Sequence, residues 1–304
     1  PKGALLSERA TIFRAIHQST YFSISADTRI INFSPINHVG GMQFRSLAQI
    51  YGGGTTVFQE RFDAGAALAL IRKHDINMLH MGPTMLNLLL AHEDFGPDVL
   101  DRLEWYISAG AALPVPALEL VAKHARRVAS VYGATETAST VSYASLSESF
   151  EAVAVSIGWP IPAHTMRVAD GQNNVLAVHT EGELQVAADH CMLGYLHDET
   201  ATAAAFTTDG WYRTGDLAQL LPDGSIKITG RMKEMFKSGG YNVYPREVEI
   251  TLEAHPDVRL AAVVSVPDPL FQQVGHAFVI LNPDSSLTGD ALRQWCRDQL
   301  ANYK

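Results

Sequence analysis

The hexapeptide YGATET, residues 132–137, brings together the residue types that phosphate chemistry needs. Thr135 offers a hydroxyl to an anion, and Glu136 offers a hard carboxylate oxygen of the kind that Mg²⁺ prefers. Tyr132 offers an aromatic face to a base, and Gly133 lets the backbone turn tightly. Taken alone, the hexapeptide also fits a strand-to-helix turn with a carboxylate at the helix start, so the rest of the chain has to decide between the two interpretations.

Four further motifs rich in glycine and polar residues follow in order towards the carboxyl end. They are GEL at 182–184, GY at 194–195, WYRTGDLA at 211–218 and GRMKEMFKSGGYNVYPREVE at 230–249. Asp216, in the third motif, has a carboxylate that can accept hydrogen bonds from two neighbouring hydroxyls. Arg231, in the fourth motif, can donate to the same group. For an Asp in a Thr-Gly-Asp sequence, a local turn hydrogen bond is an equally good account.

The elements that must position these residues alternate between strands and helices up to about residue 142. The predicted strands are 30–33, 55–58, 78–81, 105–108 and 128–132. Helices are predicted over 38–51 and 114–127, after Asp63 and from Pro83. This alternation predicts a parallel sheet covered by helices. Ligands of such sheets bind where strands end, so the loops after Pro35, Ser108 and Tyr132 are where we expect a site.

The pattern changes near Ser156 and again after Gly230. Between them, short strands are separated by Asp-Gly turn signals, which predicts a small antiparallel barrel-like unit. After Gly230, a helix from Pro245 to Ala254, two apolar strands and a final helix predict a compact α+β domain. The fold class we expect is therefore α/β and multidomain.

Composition and charge exclude several classes of protein. The 304 residues carry 23 Lys and Arg against 32 Asp and Glu, a net charge of −9, and no basic stripe, which argues against a nucleic-acid partner. No apolar run approaches the roughly 20 residues that span a bilayer, so we expect no integral membrane association. The two cysteines are Cys191 and Cys296, far apart and outside any CxxC pair, which indicates a reducing, cytoplasmic location.

The ordered set of motifs resembles the adenylate-forming superfamily, and within it the acyl-CoA synthetases. Two upstream segments extend the match: SAGAALP at 108–114 is similar to the family's adenine loop, and FSPINHVGG at 33–41 to its acyl-site segment. Seven ordered motifs through nearly the whole chain make chance agreement negligible, although any one of them alone could mislead. The resemblance implies three parts: 1–155 as the α/β part of a large AMP-binding domain, 156–232 as its β-barrel-like subdomain, and 233–304 as a small mobile C-terminal domain.

The resemblance implies a nucleotide site for ATP and AMP. In it Tyr132 would stack on adenine, Thr135 would contact the α-phosphate, Glu136 would hold Mg²⁺, and Asp216 with Arg231 would bind the ribose. The full set of implied nucleotide-binding residues is Gly110, Ala111, Ala112, Tyr132, Gly133, Thr135, Asp216, Arg231 and Lys237.

The resemblance also implies a site for the acid and for coenzyme A. His38 would lie beside the acyl carbonyl, at the entrance of the thiol tunnel, while the small residues Gly40 and Ala134 would leave room for the acyl group. Gly239 and Gly240 would let the pantetheine of coenzyme A pass close to the backbone. The residues implied for substrate or coenzyme A are thus His38, Gly40, Ala134, Gly239, Gly240 and Asn242.

Lys233 falls where the family places its hinge between the large and small domains. Lys237 and Asn242 would reach the adenylate phosphate or the acyl group when the small domain rotates. The residues implied for catalysis are Thr135, Glu136, Lys233 and His38. For Lys233, Lys237 and Asn242, an exposed position without a role in the chemistry is the alternative interpretation.

The implied activity is that of an AMP-forming acid–thiol ligase. It would convert a carboxylic acid and ATP to an acyl-adenylate, and then form a thioester with coenzyme A. The segment INHVGGM at 36–42 has no carboxylate to hold an α-ammonium group, which favours a plain organic acid, either fatty or aromatic. Two alternatives stay open: an adenylation enzyme that loads a carrier protein, and a non-catalytic AMP-binding relative. The expected partner is a small carboxylic acid; a homodimer is a further option.

Both ends of the chain resemble the interior of the family's sequences. PKG at 1–3 is similar to the tail of the phosphate loop, and NYK at 302–304 is similar to the start of the segment that leads to the catalytic lysine. We therefore expect a chain truncated at both ends, which binds AMP or adenylate weakly and needs the missing parts for full activation.

Overall fold

The computed structural model describes residues 2–110, 113–145, 150–161, 165–187, 189 and 191–304. The chain forms two compact units. Unit 1 comprises Pro1–Arg167, Gln185–Thr214 and Leu221–Lys227, and unit 2 comprises Val168–Leu184, Gly215–Leu220 and Ile228–Lys304.

In chain order, the strands are β1 (Ala4–Leu5), β2 (Arg29–Asn32), β3 (Thr55–Phe58), β4 (Met78–Met81), β5 (Trp105–Ala109), β6 (Val128–Ala134), β7 (Ser139–Ser145), β8 (Trp159–Pro160), β9 (Met166–Ala169), β10 (Gly182–Ala187), β11 (Gly194–Tyr195), β12 (Trp211–Leu220), β13 (Ile226–Arg231), β14 (Phe236–Ser238), β15 (Tyr241–Val243), β16 (Val258–Asp268) and β17 (Gln272–Leu281). The helices are α1 (Glu8–Tyr21), a π-helix (Gly40–Leu47), α2 (Ala48–Gly52), α3 (Ala64–Lys73), α4 (Pro83–Leu90), α5 (Asp98–Asp101), α6 (Val115–His124), α7 (Phe150–Val155), α8 (Glu199–Ala205), α9 (Pro245–Glu253) and α10 (Gly289–Gln299).

A seven-stranded sheet in the order β3-β2-β4-β5-β6-β7-β8 organises unit 1. Neighbouring strands from β3 to β6 are parallel, as the strand and helix alternation predicts. β7 and β8 are antiparallel to their neighbours. The connection between β6 and β7 is a short turn, and a parallel crossover would need about a dozen residues or more. The predicted α/β fold class is confirmed, with an antiparallel edge that the sequence pattern did not show.

Side chains that alternate along the strands build a core on each face of this sheet. On one face, Leu79 and Tyr106 pack with Leu68 of α3, Leu86 of α4 and Leu118 of α6. On the other face, a second cluster of buried side chains forms the core. It contains Phe22, Ile30, Phe44, Met78, Trp105, Ile107 and Ala129. The helices thus cover both faces, as expected for a sheet of this type.

The helix starts that the sequence predicts at Asp63 and Pro83 are confirmed. Asp63 caps α3, because its carboxylate accepts a hydrogen bond from the Ala66 N–H at 2.8 Å. Pro83 occupies the first turn of α4. The helix predicted over 38–51 consists of two parts, the π-helix followed by α2.

The chain also forms two smaller sheets in its first and middle parts. β1 pairs antiparallel with β11, and four strands form a sheet in the order β13-β12-β10-β9. Apart from β1, these strands lie in the part of the chain, from about Ser156 to Gly230, where the Asp-Gly turn signals predict strands.

A sheet in the order β15-β14-β17-β16 carries the α+β arrangement that the sequence predicts for the last part of unit 2. Val248 and Leu252 of α9 pack with Leu292 of α10 against strand residues. Glu249 and Glu253 on α9 accept hydrogen bonds from the backbone N–H groups of β16, at Val263 (3.0 Å) and Ala261 (3.3 Å).

None of the helices in the described part of the chain is long and apolar enough to cross a lipid bilayer.

The substitution Leu68→Ala tests the core on the α3 face. Leu68 is fully buried, so the cavity left by the smaller side chain should lower the free energy of unfolding by about 2–5 kcal/mol. Ile50→Ala is the matched control, because Ile50 is 74% exposed and its loss should change stability by no more than about 0.5 kcal/mol. Urea denaturation followed by tryptophan fluorescence measures both variants. Equal losses would contradict the placement of Leu68 in the core.

Candidate nucleotide site

The YGATET segment lies at a reversal of the chain. Tyr132, Gly133 and Ala134 are the last residues of β6, and the turn Thr135–Ala138 leads directly into β7. The strand is thus two residues longer than predicted, and Glu136 precedes a strand. The interpretation of Glu136 as a helix-start carboxylate is therefore wrong.

Internal hydrogen bonds fix the shape of this turn. The buried Thr137 hydroxyl accepts from the Ala134 N–H at 2.9 Å and donates to the Ser139 carbonyl at 2.6 Å. Gly133 is packed so closely that a Cβ there would lie 2.1 Å from the Ser139 carbonyl oxygen. Only glycine fits at that point, as the motif suggests. The turn leaves Thr135 exposed and Glu136 half-buried.

Helix α1 supports the turn from the interior. The Arg14 Nε donates to the Thr137 carbonyl at 3.0 Å, and the Gln18 amide donates to the Ser139 hydroxyl at 2.9 Å. Burial lowers the pKa of Arg14 to about 10, so the guanidinium keeps its charge at neutral pH. Neither residue was singled out in the sequence, since their partners lie more than a hundred positions away and no local motif marks them.

Tyr195 holds the Glu136 side chain. Its hydroxyl donates to Glu136 Oε1 at 2.8 Å, and the Met192 N–H donates to the Glu136 carbonyl at 2.6 Å. Burial, and then the hydrogen bond to Glu136, raise the pKa of Tyr195 to about 12, so the phenol remains a donor at neutral pH. The GY motif contains Tyr195, but its sequence alone did not indicate this contact.

The Glu136 carboxylate fits a magnesium ion that is bound to a nucleotide. A carboxylate has acceptor capacity for several partners, so one hydrogen bond from Tyr195 leaves room for a cation. Within the described ranges, no group of three or more His, Cys, Asp and Glu side chains could hold a metal by themselves. Mg²⁺ commonly binds through one or two carboxylates, waters and substrate phosphates, so a single carboxylate suits a metal that arrives with a nucleotide.

The loop after β5 contains the predicted adenine-binding residues. Gly110 follows β5, is exposed, and would leave a Cβ in open space. Ala111 and Ala112 lie outside the described residues.

The segment 33–41 places His38 and Gly40 side by side. His38 is exposed, and its Nδ1 accepts from the Gly40 N–H at 3.2 Å. The buried Arg45 anchors the segment by donating to the Ser34 hydroxyl at 2.8 Å, and through Nε to the His80 carbonyl at 3.1 Å. Ala134 is half-buried at the end of β6.

Unit 2 brings Asp216 and Arg231 together. The Arg231 Nε lies 2.8 Å from Asp216 Oδ1. Asp216 is buried within β12, and Arg231 is exposed at the end of β13. The pair therefore places an exposed guanidinium donor beside a carboxylate that the strand holds in place. Asp216 lies within a strand.

The remaining predicted residues of unit 2 lie around the β14–β15 hairpin. Lys237 faces Asn242 across the hairpin. The two-residue connection is Gly239-Gly240, with φ of +56° and +88°, which suits a type I′ turn. Lys233 is exposed in the turn that follows β13.

Tyr244, beside this hairpin, was not singled out by its sequence context. Burial, then hydrogen bonding to Glu181, raises the pKa of Tyr244 to about 12, and its hydroxyl also contacts Asn242.

Comparison with known proteins matches these features to a family. The model of the AMP-binding enzyme family matches residues 1–196, and that of the AMP-binding enzyme C-terminal domain matches residues 247–304. Feruloyl-CoA synthase of Amycolatopsis sp is 32% identical over 307 residues, covering all of this chain and 62% of that protein. 2-Succinylbenzoate–CoA ligase of Bacillus velezensis is 32% identical over 304 residues, covering all of this chain and 61% of that protein.

Solved structures of related enzymes also match the chain. O-succinylbenzoate CoA synthetase of Bacillus subtilis, in complex with its acyl-adenylate intermediate, has a TM-score of 0.85 at 29% identity, covering all of this chain and 61% of that one. An ATP-bound RpMatB-BxBclM chimera has a TM-score of 0.90 at 27% identity, covering 99% of this chain and 59% of that one. The chain thus spans about three fifths of the length of the relatives it matches. It belongs to the AMP-binding enzyme family, the adenylate-forming enzymes that the order of its motifs indicates.

Proposed function

We propose that the protein containing this chain is an AMP-forming acyl-CoA synthetase. The observation that carries the proposal is the turn at Thr135–Ala138, which exposes a hydroxyl beside a carboxylate that is held by a neighbouring phenol. Relatives over the whole chain are named CoA ligases and synthetases, which supports the same activity. Its substrates are a carboxylic acid, ATP and coenzyme A.

In the first step, a carboxylate oxygen of the acid attacks the α-phosphorus of ATP. The bond from that phosphorus to the bridging oxygen breaks, and pyrophosphate leaves with the electron pair. Thr135 donates to an α-phosphate oxygen, and Tyr132 stacks on the adenine. Glu136 would hold Mg²⁺, which neutralises the charge that develops on the phosphate oxygens. Asp216 accepts from the ribose hydroxyls, and Arg231 donates to the same sugar.

In the second step, the thiolate of coenzyme A attacks the carbonyl carbon of the acyl-adenylate. The bond from the carbonyl carbon to the phosphate oxygen breaks, and AMP leaves. His38, at the surface of its segment, borders the acyl carbonyl. Gly239 and Gly240 form a connection with no side chain to obstruct the pantetheine, and Lys237 and Asn242 lie across the same hairpin. Lys233, in an exposed turn, is the hinge we propose.

We propose that the acid is cyclic or aromatic. Relatives named for feruloyl, indoleacetate and 2-succinylbenzoate substrates support this class. The absence of a carboxylate in INHVGGM argues against an α-ammonium group on the acid, and the small residues Gly40 and Ala134 agree with an acyl group of some width. A fatty acid, and with it a place in fatty acid metabolism, is the alternative that the substrate assay below separates.

Three further expectations stay as proposals. We place the protein in the cytoplasm, because both cysteines are free thiols. The division into 1–155, 156–232 and 233–304, with a mobile last part, is a proposal that limited proteolysis can test. A homodimer is an option that analytical ultracentrifugation decides.

The proposed activity is tested by AMP release from the protein that contains this chain, with ATP, Mg²⁺ and coenzyme A. A panel of aromatic, fatty and amino acids is supplied, and acyl thioesters are detected by mass. We expect AMP release with one aromatic or cyclic acid and the matching thioester. If the adenylate forms without a thioester, the acceptor is a carrier protein rather than coenzyme A. AMP binding without turnover would favour a non-catalytic relative.

The substitution Asp216→Asn tests the proposed ribose contact. An amide replaces the carboxylate that pairs with Arg231 and would accept from the sugar, so AMP affinity should fall about 10- to 100-fold, as for the loss of hydrogen bonds to a charged group. Isothermal titration calorimetry measures it. Asp98→Asn is the matched control, since Asp98 also pairs with an arginine, Arg72, at 2.9 Å but belongs to no predicted site. A similar loss in both variants would count against the ribose contact.

A further inference from the structure

We propose that Tyr195 is a positioning residue that fixes the Glu136 carboxylate for the magnesium–nucleotide complex. This inference rests on the proposed function and adds to it a residue for which the motif pattern gave no role. It also makes strand β1 part of the site's support, because β1 pairs with β11, the strand that contains Tyr195.

The hydrogen bond from Tyr195 acts on a side chain that would otherwise sample several positions. Glu136 lies in a turn, is half-buried and has three rotatable side-chain bonds. Its backbone carbonyl is held by the Met192 N–H and its Oε1 by the Tyr195 hydroxyl, at 2.6 Å and 2.8 Å. Holding both ends of the residue removes rotamer freedom before a ligand binds, and binding then costs less entropy.

The position of Tyr195 is itself determined by backbone pairing. β11 pairs with β1 so that Tyr195 lies opposite Ala4, and the Leu196 N–H donates to the Gly3 carbonyl at 2.7 Å. The Tyr195 N–H donates to the Thr202 hydroxyl at 2.8 Å. A phenol on a backbone that is bonded on both sides is a rigid support for the carboxylate.

The ring of Tyr195 has partners of its own. It packs against an apolar cluster that contains Val141 and Met192 and that Tyr132 also contacts. The hydroxyls of Tyr195 and Tyr212 are hydrogen-bonded to each other. The Lys2 ammonium lies 4.6 Å from the centre of the Tyr195 ring, a cation–π distance.

The substitution Tyr195→Phe removes the hydroxyl and keeps the ring. The apolar packing, the contact with Lys2 and the backbone pairing are all retained, so the fold should be unaffected. A role limited to packing predicts no effect of this change on nucleotide binding. A role in positioning Glu136 predicts an effect confined to the component of binding that depends on the metal.

The experiment is a double-mutant cycle with Tyr195→Phe, Glu136→Gln and both together. Calorimetry on the protein that contains this chain measures the dissociation constant of ATP with Mg²⁺ and with EDTA, and that of AMP with EDTA. Electron paramagnetic resonance of Mn²⁺ with ATP reports the metal directly. Tyr51→Phe is the matched control, because Tyr51 is exposed at the end of α2.

We expect Mg²⁺ to strengthen ATP binding by the unmodified protein, and Tyr195→Phe to reduce this enhancement by about tenfold, the size of one hydrogen bond to a charged group. AMP binding with EDTA and the melting temperature should match those of Tyr51→Phe. With Gln at 136, the change at Tyr195 should have no further effect.

Two results would overturn the inference. If the unmodified protein shows the Mg²⁺ enhancement and Tyr195→Phe keeps it, or if Tyr195→Phe weakens binding equally with Gln at 136, Tyr195 does not act through the carboxylate. If the unmodified protein shows no Mg²⁺ enhancement, the metal role proposed for Glu136 fails, and the role of Tyr195 fails with it. The unmodified protein thus separates the failure of the proposed function from that of Tyr195 alone.

Discussion

The reversal of the chain at Thr135–Ala138 sets the geometry of the candidate site. Four residues are too few for a crossover, so β7 returns antiparallel beside β6 and the turn projects from the end of the sheet. Besides the turn's internal hydrogen bonds, side chains from elsewhere in unit 1 support it, among them the guanidinium of Arg14 and the phenol of Tyr195. The exposed hydroxyl and the anchored carboxylate are thus products of tertiary structure around a short, tightly bonded turn.

Much of the fold could be predicted from local signals. The strands from β2 to β6, the Asp63 cap of α3 and the start of α9 at Pro245 follow from side-chain periodicity and capping chemistry, which act within a few residues. Strand β7 was not predicted, and its direction could not be, because periodicity does not distinguish a parallel from an antiparallel neighbour.

The candidate site divides in the same way. Residues within motifs, such as Glu136 and Asp216, could be selected because their chemistry is visible in their type and neighbours. The residues that support the site could not be selected, because each lies far along the chain from its partner. Arg14 is 123 positions from Thr137, and Tyr195 is 59 positions from Glu136. A buried charge at the centre of an amphipathic helix has no local signature. The order of motifs indicated the family, while the supporting contacts required the coordinates.

The π-helix at Gly40–Leu47 has a consequence for how this segment can change. Each backbone hydrogen bond of a π-helix spans one residue more than that of an α-helix, so the turn holds an extra residue. An α-helix advances about 100° per residue. Deleting one residue to restore ordinary helical bonding would rotate α2 by about that angle, turning the buried Ala48 and Gln49 away from the core. Arg45, whose guanidinium anchors the segment that carries His38, would move as well. Insertions and deletions here should therefore be far more damaging than most single substitutions, so natural variation in this segment is expected to preserve its length.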